Sequence, residues 1–292
     1  PPAKPDLPVS SKQKILFFSM KVAFITIHKG NKEELYKTIL SLYAYLDYEI
    51  IGGYLIYESG GKSLKQNDFN HPKIQYLYSQ PIEGITEALN NSQRMSENYF
   101  PNTSHHCFLH SGDTFTPETL AVEHLDSMNK SNIIPDLIFW NHGFIDNYRN
   151  ELYRPDFKNI RFGMTVSHIG TFISHLSHKK LSGYNPKFKL AMDYDFFLRA
   201  SENKISYDQF NYKIVEINGF GISSLNAYKA IKEVSISLRN NLPNFLGFNI
   251  FFSRYIFVKS CFRRRILELL LKYPKLHQPL RKFFNKRLIN TI

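Results

Sequence analysis

The sequence predicts an α/β fold on a mixed sheet, mostly parallel in its first half and flanked by helices. Three observations predict it. Short apolar runs alternate with longer amphipathic segments through the first 130 residues, the pattern of strands and crossover helices. Two of the runs end in small and acidic residues, Glu58-Ser59-Gly60-Gly61 and His110-Ser111-Gly112-Asp113, and ligands of open α/β sheets bind at the carboxyl ends of strands. Beyond Asp136 the apolar runs shorten and loops rich in Asn, Tyr and His intervene, so the sheet becomes mixed.

The elements follow in order. Residues 22–27 read as a buried first strand. Asn31 opens a helix with Glu33 and Glu34 in its first turn, favourable to the helix dipole. Leu35, Ile39, Leu42 and Leu46 give that helix its apolar face. Residues 50–57 and 74–78 read as strands, 84–99 as a helix, and a fourth strand ends at His110. Pro117-Glu118-Thr119 then opens a helix. Residues 136–140 are an apolar run, 193–202 a helix, and 205–217 two short strand-like runs. There is no internal repeat.

Composition bounds the rest. The chain has 292 residues, 43% of them hydrophobic and 15% aromatic, enough for a packed core and against wholesale disorder. Its two cysteines, Cys107 and Cys261, form neither a disulfide framework nor a zinc spacing, which suits a reducing compartment. Cys107, inside a strand, reads as a small buried hydrophobe.

The net charge of +12 is unevenly placed. From residue 254 onward there are eleven Lys or Arg against Glu268 alone, so ten of the twelve positive charges lie in the tail. Residues 245–258 are apolar but interrupted by Asn249 and Arg254, and are shorter than the roughly 20 residues of a spanning helix. Phe262, Ile266, Leu269, Leu270 and Tyr273 share one helical face, while Arg264, Arg265, Glu268 and Lys272 fall largely on the other. That pattern predicts a helix lying on an anionic membrane surface; bases mixed with large apolar residues do not predict a nucleic-acid partner. The organisation expected is a linker over 1–19, a catalytic-sized α/β domain over 20–240, and a basic amphipathic tail over 241–292.

Three clusters carry chemistry. Asp113, in a turn at a strand end, is a hard oxygen ligand for a divalent metal facing phosphate; the same composition also makes an ordinary turn. Asp193 and Asp195 open a helix, where an Asp caps backbone amides or serves as a general base. Arg199 stands four residues after Asp195, so an ion pair is available to Asp195 and Asp193 is the freer base. Ser167-His168-Ile169-Gly170-Thr171-Phe172 places one histidine in a loop-rich stretch before those acids, where a lone His is also an ordinary structural hydrogen-bonding residue.

In this order the motifs resemble those of inverting, family 2 type glycosyltransferases of the GT-A fold. The similarity is to the bacterial branch that builds exopolysaccharide and O-antigen units, including colanic-acid-type transferases. That branch runs from an acidic-Gly-Gly-Ser loop to a Gly-Ile-Tyr-Asp-Ala-Met-Asn-Lys-Gly helix, then Leu-Asn-Ser-Gly-Asp, His-Gln-x-x-Phe and Ala-Asp-Tyr-Asp. This chain has Glu58-Ser59-Gly60-Gly61-Lys62-Ser63, Gly84-Ile85-Thr86-Glu87-Ala88-Leu89-Asn90-Asn91-Ser92 and Leu109-His110-Ser111-Gly112-Asp113. It continues with His168-Ile169-Gly170-Thr171-Phe172, Ala191-Met192-Asp193-Tyr194-Asp195 and Gly219-Phe220-Gly221-Ile222-Ser223.

The resemblance implies a nucleoside-diphosphate sugar donor, contacted by Thr26, Glu58, Ser59, Gly84, Asn90, Ser111 and Gly112. It implies Mn or Mg held by Asp113 and a catalytic base at Asp193. His168, Asp195, Arg199 and Ser223 would reach the acceptor or the diphosphate. The acceptor would be a lipid-diphosphate-linked glycan, met at the cytoplasmic face of the bacterial inner membrane. Two other readings fit the same residues: a nucleotidyltransferase, and a non-catalytic membrane-surface or sugar-binding module on a transferase-like core.

Overall fold

The computed structural model describes residues 20–60, 64–80, 84–128, 134–146, 149–218 and 226–242. The expected linker over 1–19, the motif ending in Ser223 and the basic tail beyond Leu242 lie outside these residues. Nine strands form one sheet. They are β1 (Val22–His28), β2 (Ile51–Ser59), β3 (Ile74–Ser79), β4 (His105–Phe108), β5 (Thr114–Phe115), β6 (Leu137–Asp146), β7 (Arg149–Tyr153), β8 (Phe172–Ser174) and β9 (Tyr207–Asn218). Among the described residues six helices accompany them: α1 (Lys32–Tyr43), α2 (Ile85–Tyr99), α3 (Thr119–Met128), α4 (His175–Lys180), α5 (Met192–Glu202) and α6 (Ala227–Asn241).

The strand order is β3-β2-β1-β4-β8-β6-β9-β5, with β7 paired to β6. The first four strands are mutually parallel, β8 runs antiparallel between β4 and β6, and β6 pairs parallel with β9. The sheet is thus parallel first and mixed later, as the apolar patterning requires. Central β1 is buried almost end to end, as a parallel strand covered on both faces must be.

Alternate strand residues feed two cores. Phe24, Tyr54, Trp140 and Phe172 pack with Leu35, Ile39 and Leu42 of α1 and Leu125 of α3 on one face. Ile25, Leu55, Phe108 and Phe139 pack with Leu89 of α2, Phe196 and Phe197 of α5 and Leu238 of α6 on the other. Helix α1 starts where the sequence says it should: the Asn31 side chain accepts a 2.9 Å hydrogen bond from the Glu33 amide. Cys107 is buried in β4, and burial pushes its thiol above its usual range. A Cβ at Gly53 would lie 2.3 Å from the Phe100 ring, so β2 needs glycine where α2 ends against it.

One element differs from expectation. In place of two short runs over 205–217 there is the single strand β9 (Tyr207–Asn218), because the β6–β9 pairing shifts register between Trp140 and His142 and continues past the polar Asn211–Lys213 break.

At the other end of β4 sits a group of buried imidazoles. His106 Nδ1 lies 3.4 Å from His175 Nδ1, the two rings stack at 5.4 Å, and His178 meets His106 edge-on at 5.0 Å. Burial lowers His105 to about 4, His175 to about 4 and His178 to about 3, and holds His106 well below its usual value. His110 and His142 are lowered too, to about 3 and about 4. Below pH 6.5 the unfolded chain therefore binds protons that the native imidazoles do not, so stability falls as pH drops from there towards 4. Burial lowers His28 as well, and Asp113, raised to about 7, acts in the opposite sense, as one carboxyl against seven imidazoles. Urea midpoints are expected to fall steadily between about pH 7 and pH 5, and His178→Gln to flatten that slope by up to about 1.4 kcal/mol per pH unit.

Candidate active site

The carboxyl end of β4 is where the functional side chains converge. Leu109 N–H donates to Ile25 O at 3.0 Å, which carries the strand alignment one residue past β4. The chain then turns tightly. Asp113 N–H donates to His110 O at 3.0 Å, and His110 N–H returns a 3.1 Å bond to Asp113 Oδ2. Gly112 has φ +101°, a conformation that side chains strongly disfavour, and its amide donates to Thr38 Oγ1 at 2.9 Å. Helix α1 thus clamps the turn from beneath. Asp113 Oδ1 accepts from Asn218 N–H at 3.1 Å, at the end of β9. Asp113 is 3% exposed, and loss of hydration drives its carboxyl up to about 7 against the pull of those backbone bonds.

A second turn leans over the first. Gly170 N–H donates to Phe108 O at 3.1 Å, and Gly170 has φ +74°. A Cβ there would also meet Val215 Cγ2 at 2.2 Å, so neither backbone nor space admits another residue. Thr171 Oγ1 donates to Ser167 O at 2.5 Å and closes the turn. His168, 6% exposed, is thereby held against the β4 end. Its Nε2 lies 2.9 Å from His110 Nε2, and its Nδ1 lies 3.2 Å from Asp193 Oδ2. Asp193 keeps 19% of its side chain exposed, at the first turn of α5. The Asp113 turn and Asp193 are therefore linked by a chain of contacts through His110 and His168.

The two aspartates of α5 separate cleanly. Asp195 is buried, takes Arg199 Nε at 2.8 Å, and accepts from Ser237 Oγ at 2.8 Å and Asn241 Nδ2 at 3.2 Å on α6. Arg199 also donates to Gly183 O at 2.8 Å and to Leu181 O. The available ion pair is formed, and both residues lock α5 to its surroundings. Glu233 of α6 accepts from the amides of Lys189, Leu190 and Ala191 at 3.0, 2.8 and 2.9 Å, holding the entry to α5.

The expected donor contacts divide. Ser111 Oγ lies 3.1 Å from His28 Nδ1 at the end of β1. Glu58 stands next to last in β2 opposite His28, and Tyr76 Oη donates to its Oε2 at 2.6 Å. Ser59 follows it, buried. Gly84 precedes α2 with open space around its Cα. Thr26 is fully buried and bonded to Tyr54 Oη at 2.9 Å, two residues short of the strand end where His28 stands. The Asn90 amide donates to Tyr184 O at 2.7 Å and accepts from Tyr184 N–H at 2.9 Å, so it clamps the loop before α5.

Sequence reasoning passed over His110, Glu233, Tyr153 and Tyr184. The negative charge of Asp193 adds to burial in raising both tyrosine hydroxyls above their usual range, so both lie near the acid. A signal existed for His110 alone, which stands where the resembled motif has asparagine. Among the described residues, no three or more His, Cys, Asp or Glu side chains are arranged to hold a metal by themselves, and no helix is long and apolar enough to cross a membrane.

This mixed, mostly parallel sheet flanked by helices is a fold shared with solved structures. Staphylococcus aureus TarS 1-349 in complex with UDP superposes with a TM-score of 0.55 at 14% identity, over 76% of this chain and 67% of that one. Its complex with UDP-GlcNAc gives 0.55 at 14% identity, over 76% and 68%. A longer S. aureus TarS structure gives 0.54 at 15% identity, over 76% of this chain and 40% of that one. No protein-family model and no curated protein matches the chain.

The two aspartates of α5 are expected to answer mutation differently. Asp195→Ala strips the partner from Arg199 and from two α6 donors and should cost about 3–5 kcal/mol in urea unfolding. Asp193→Asn should change stability by less than about 1 kcal/mol.

Proposed function

We propose that the chain is an inverting glycosyltransferase that moves a sugar from a nucleoside-diphosphate sugar to a hydroxyl of a lipid-diphosphate-linked glycan. The observation that supports this reading is the contact chain at the end of β4, by which His110 and His168 join the Asp113 turn to a partly exposed Asp193 on a GT-A-type sheet. The nucleotide lies across the ends of β1, β2 and β4, against His28, Glu58, Ser59 and Ser111. TarS was solved with UDP and with UDP-GlcNAc, which makes uridine donors the first to test.

The reaction is one in-line displacement. The acceptor oxygen attacks the anomeric carbon, its proton passes to Asp193, and the bond from that carbon to the diphosphate breaks with its electron pair on the leaving oxygen. Carboxylate oxygens each accept more than one bond, so those of Asp113 retain lone pairs beside their backbone amides, and their burial is a cost that positive charge would offset. That chemistry fits a divalent cation shared between Asp113 and the donor diphosphate, which would supply charge neutralisation on the leaving group. The backbone amides of His110 and Asn218 keep the Asp113 carboxylate fixed, and the Gly112 turn keeps it at the strand end. In this reading the basic tail rests on the anionic cytoplasmic leaflet of the bacterial inner membrane, and sharing a surface with the acceptor raises its effective concentration. The product belongs to surface polysaccharide, of exopolysaccharide or O-antigen type.

A donor panel assayed for released nucleoside diphosphate, with and without manganese, tests the proposal. Release from one donor is expected, with Asp193→Asn reducing transfer at least about 100-fold while donor affinity holds. Asp113→Ala should weaken donor binding mainly when manganese is present. Release of pyrophosphate would assign a nucleotidyltransferase instead. Calorimetry with no binding of any nucleotide sugar would leave only a non-catalytic module.

A further inference from the structure

We infer that His168 is a positioning residue for Asp193 and that His110 sets its tautomer, making a three-member relay His110–His168–Asp193. The inference rests on the transferase reading for its purpose but not for its geometry. An ionised carboxylate only accepts hydrogen bonds, so the 3.2 Å contact to Asp193 Oδ2 requires a proton on His168 Nδ1. A neutral imidazole carries one N–H, so His168 Nε2 is then a bare lone pair. The ring facing it at 2.9 Å must supply the hydrogen, which puts the proton of His110 on Nε2. The contacts thus fix both tautomers in sequence. The tautomer imposed on His168 is the one that free histidine populates less.

The surroundings support a rigid part. His168 is 6% exposed, with Phe108 and Tyr184 rings each 6.2 Å from its own, and it sits two residues before the Gly170 position that admits no side chain. His110 is fixed through its backbone amide to Asp113 and through its carbonyl to the Asp113 amide. The relay therefore ties the aim of the base to the turn carrying Asp113, so the acid that serves the acceptor and the acid that serves the donor keep one relative position. Partners that fix a histidine tautomer from behind are typically worth about ten- to a hundredfold in activity.

The test reads the imidazoles directly. Nitrogen-15 NMR of histidine-labelled protein without ligand, at mildly alkaline pH, should show His168 protonated at Nδ1 and His110 at Nε2. His110→Leu removes the hydrogen that His168 Nε2 accepts and should move the His168 proton to Nε2. His110→Gln, whose amide can still donate, should keep it on Nδ1. With the donor identified in the screen above, His110→Leu should lower kcat about ten- to a hundredfold with donor KM held, and His110→Gln should recover most of that loss. His168→Asn, which keeps a donor facing Asp193, should likewise exceed His168→Leu. Amide spectra of each variant confirm folding. Protonation of native His168 at Nε2 overturns the inference, as does a folded His110→Leu protein with native tautomer and native kcat. The expected tautomers in a protein that releases nucleoside diphosphate from no donor would uphold the relay and sink the transferase reading.

Discussion

Both halves of the sheet meet at one carboxylate. Asp113 accepts one backbone amide from its own turn and one from the end of β9, so a single side chain closes the β4 turn and pins the far strand to it. The arrangement is costly, since a nearly buried carboxylate with only amide partners is pushed up to about 7. A group held at that cost is a poor choice for stability alone and a natural one for a site that later receives positive charge. The clamp from α1 on Gly112 and the Gly170 turn flank this group, and both use a positive φ open to glycine to bring strand ends together.

Much of the first half was legible because its signals are local. Buried parallel strands are continuous apolar runs, α1 carries its own cap in Asn31, and the helix periods are clean. The pairing of Asp195 with Arg199 was legible for the same reason, being four residues apart on one helix. What sequence reading missed depends on partners far away in the chain. Thr26 was singled out by the family resemblance alone, and its buried hydrogen bond to Tyr54, twenty-eight residues on, has no local signal. Asn90 matched a motif position, yet Tyr184 engages both ends of its amide. The single β9 was hidden because a register shift in β6 lets pairing continue across polar residues.

The candidate site shows the same division. Asp113 and Asp193 announce themselves as acids at a strand end and a helix start. His110 and His168 are fifty-eight residues apart, and only the fold brings their ring nitrogens to 2.9 Å. Their contact turns two separate motifs into one assembly, in which a proton's position on one ring dictates its position on the next.

Glu233 has a consequence for where the domain can end. Its carboxylate gathers three successive amides just ahead of α5, and α6 also supplies Ser237 and Asn241 to Asp195. A fragment trimmed after the last strand would keep every acid proposed for chemistry, but the helix bearing Asp193 would begin from an untethered loop. The smallest piece of this chain able to present Asp193 correctly extends through α6, although that helix contributes nothing to the sheet.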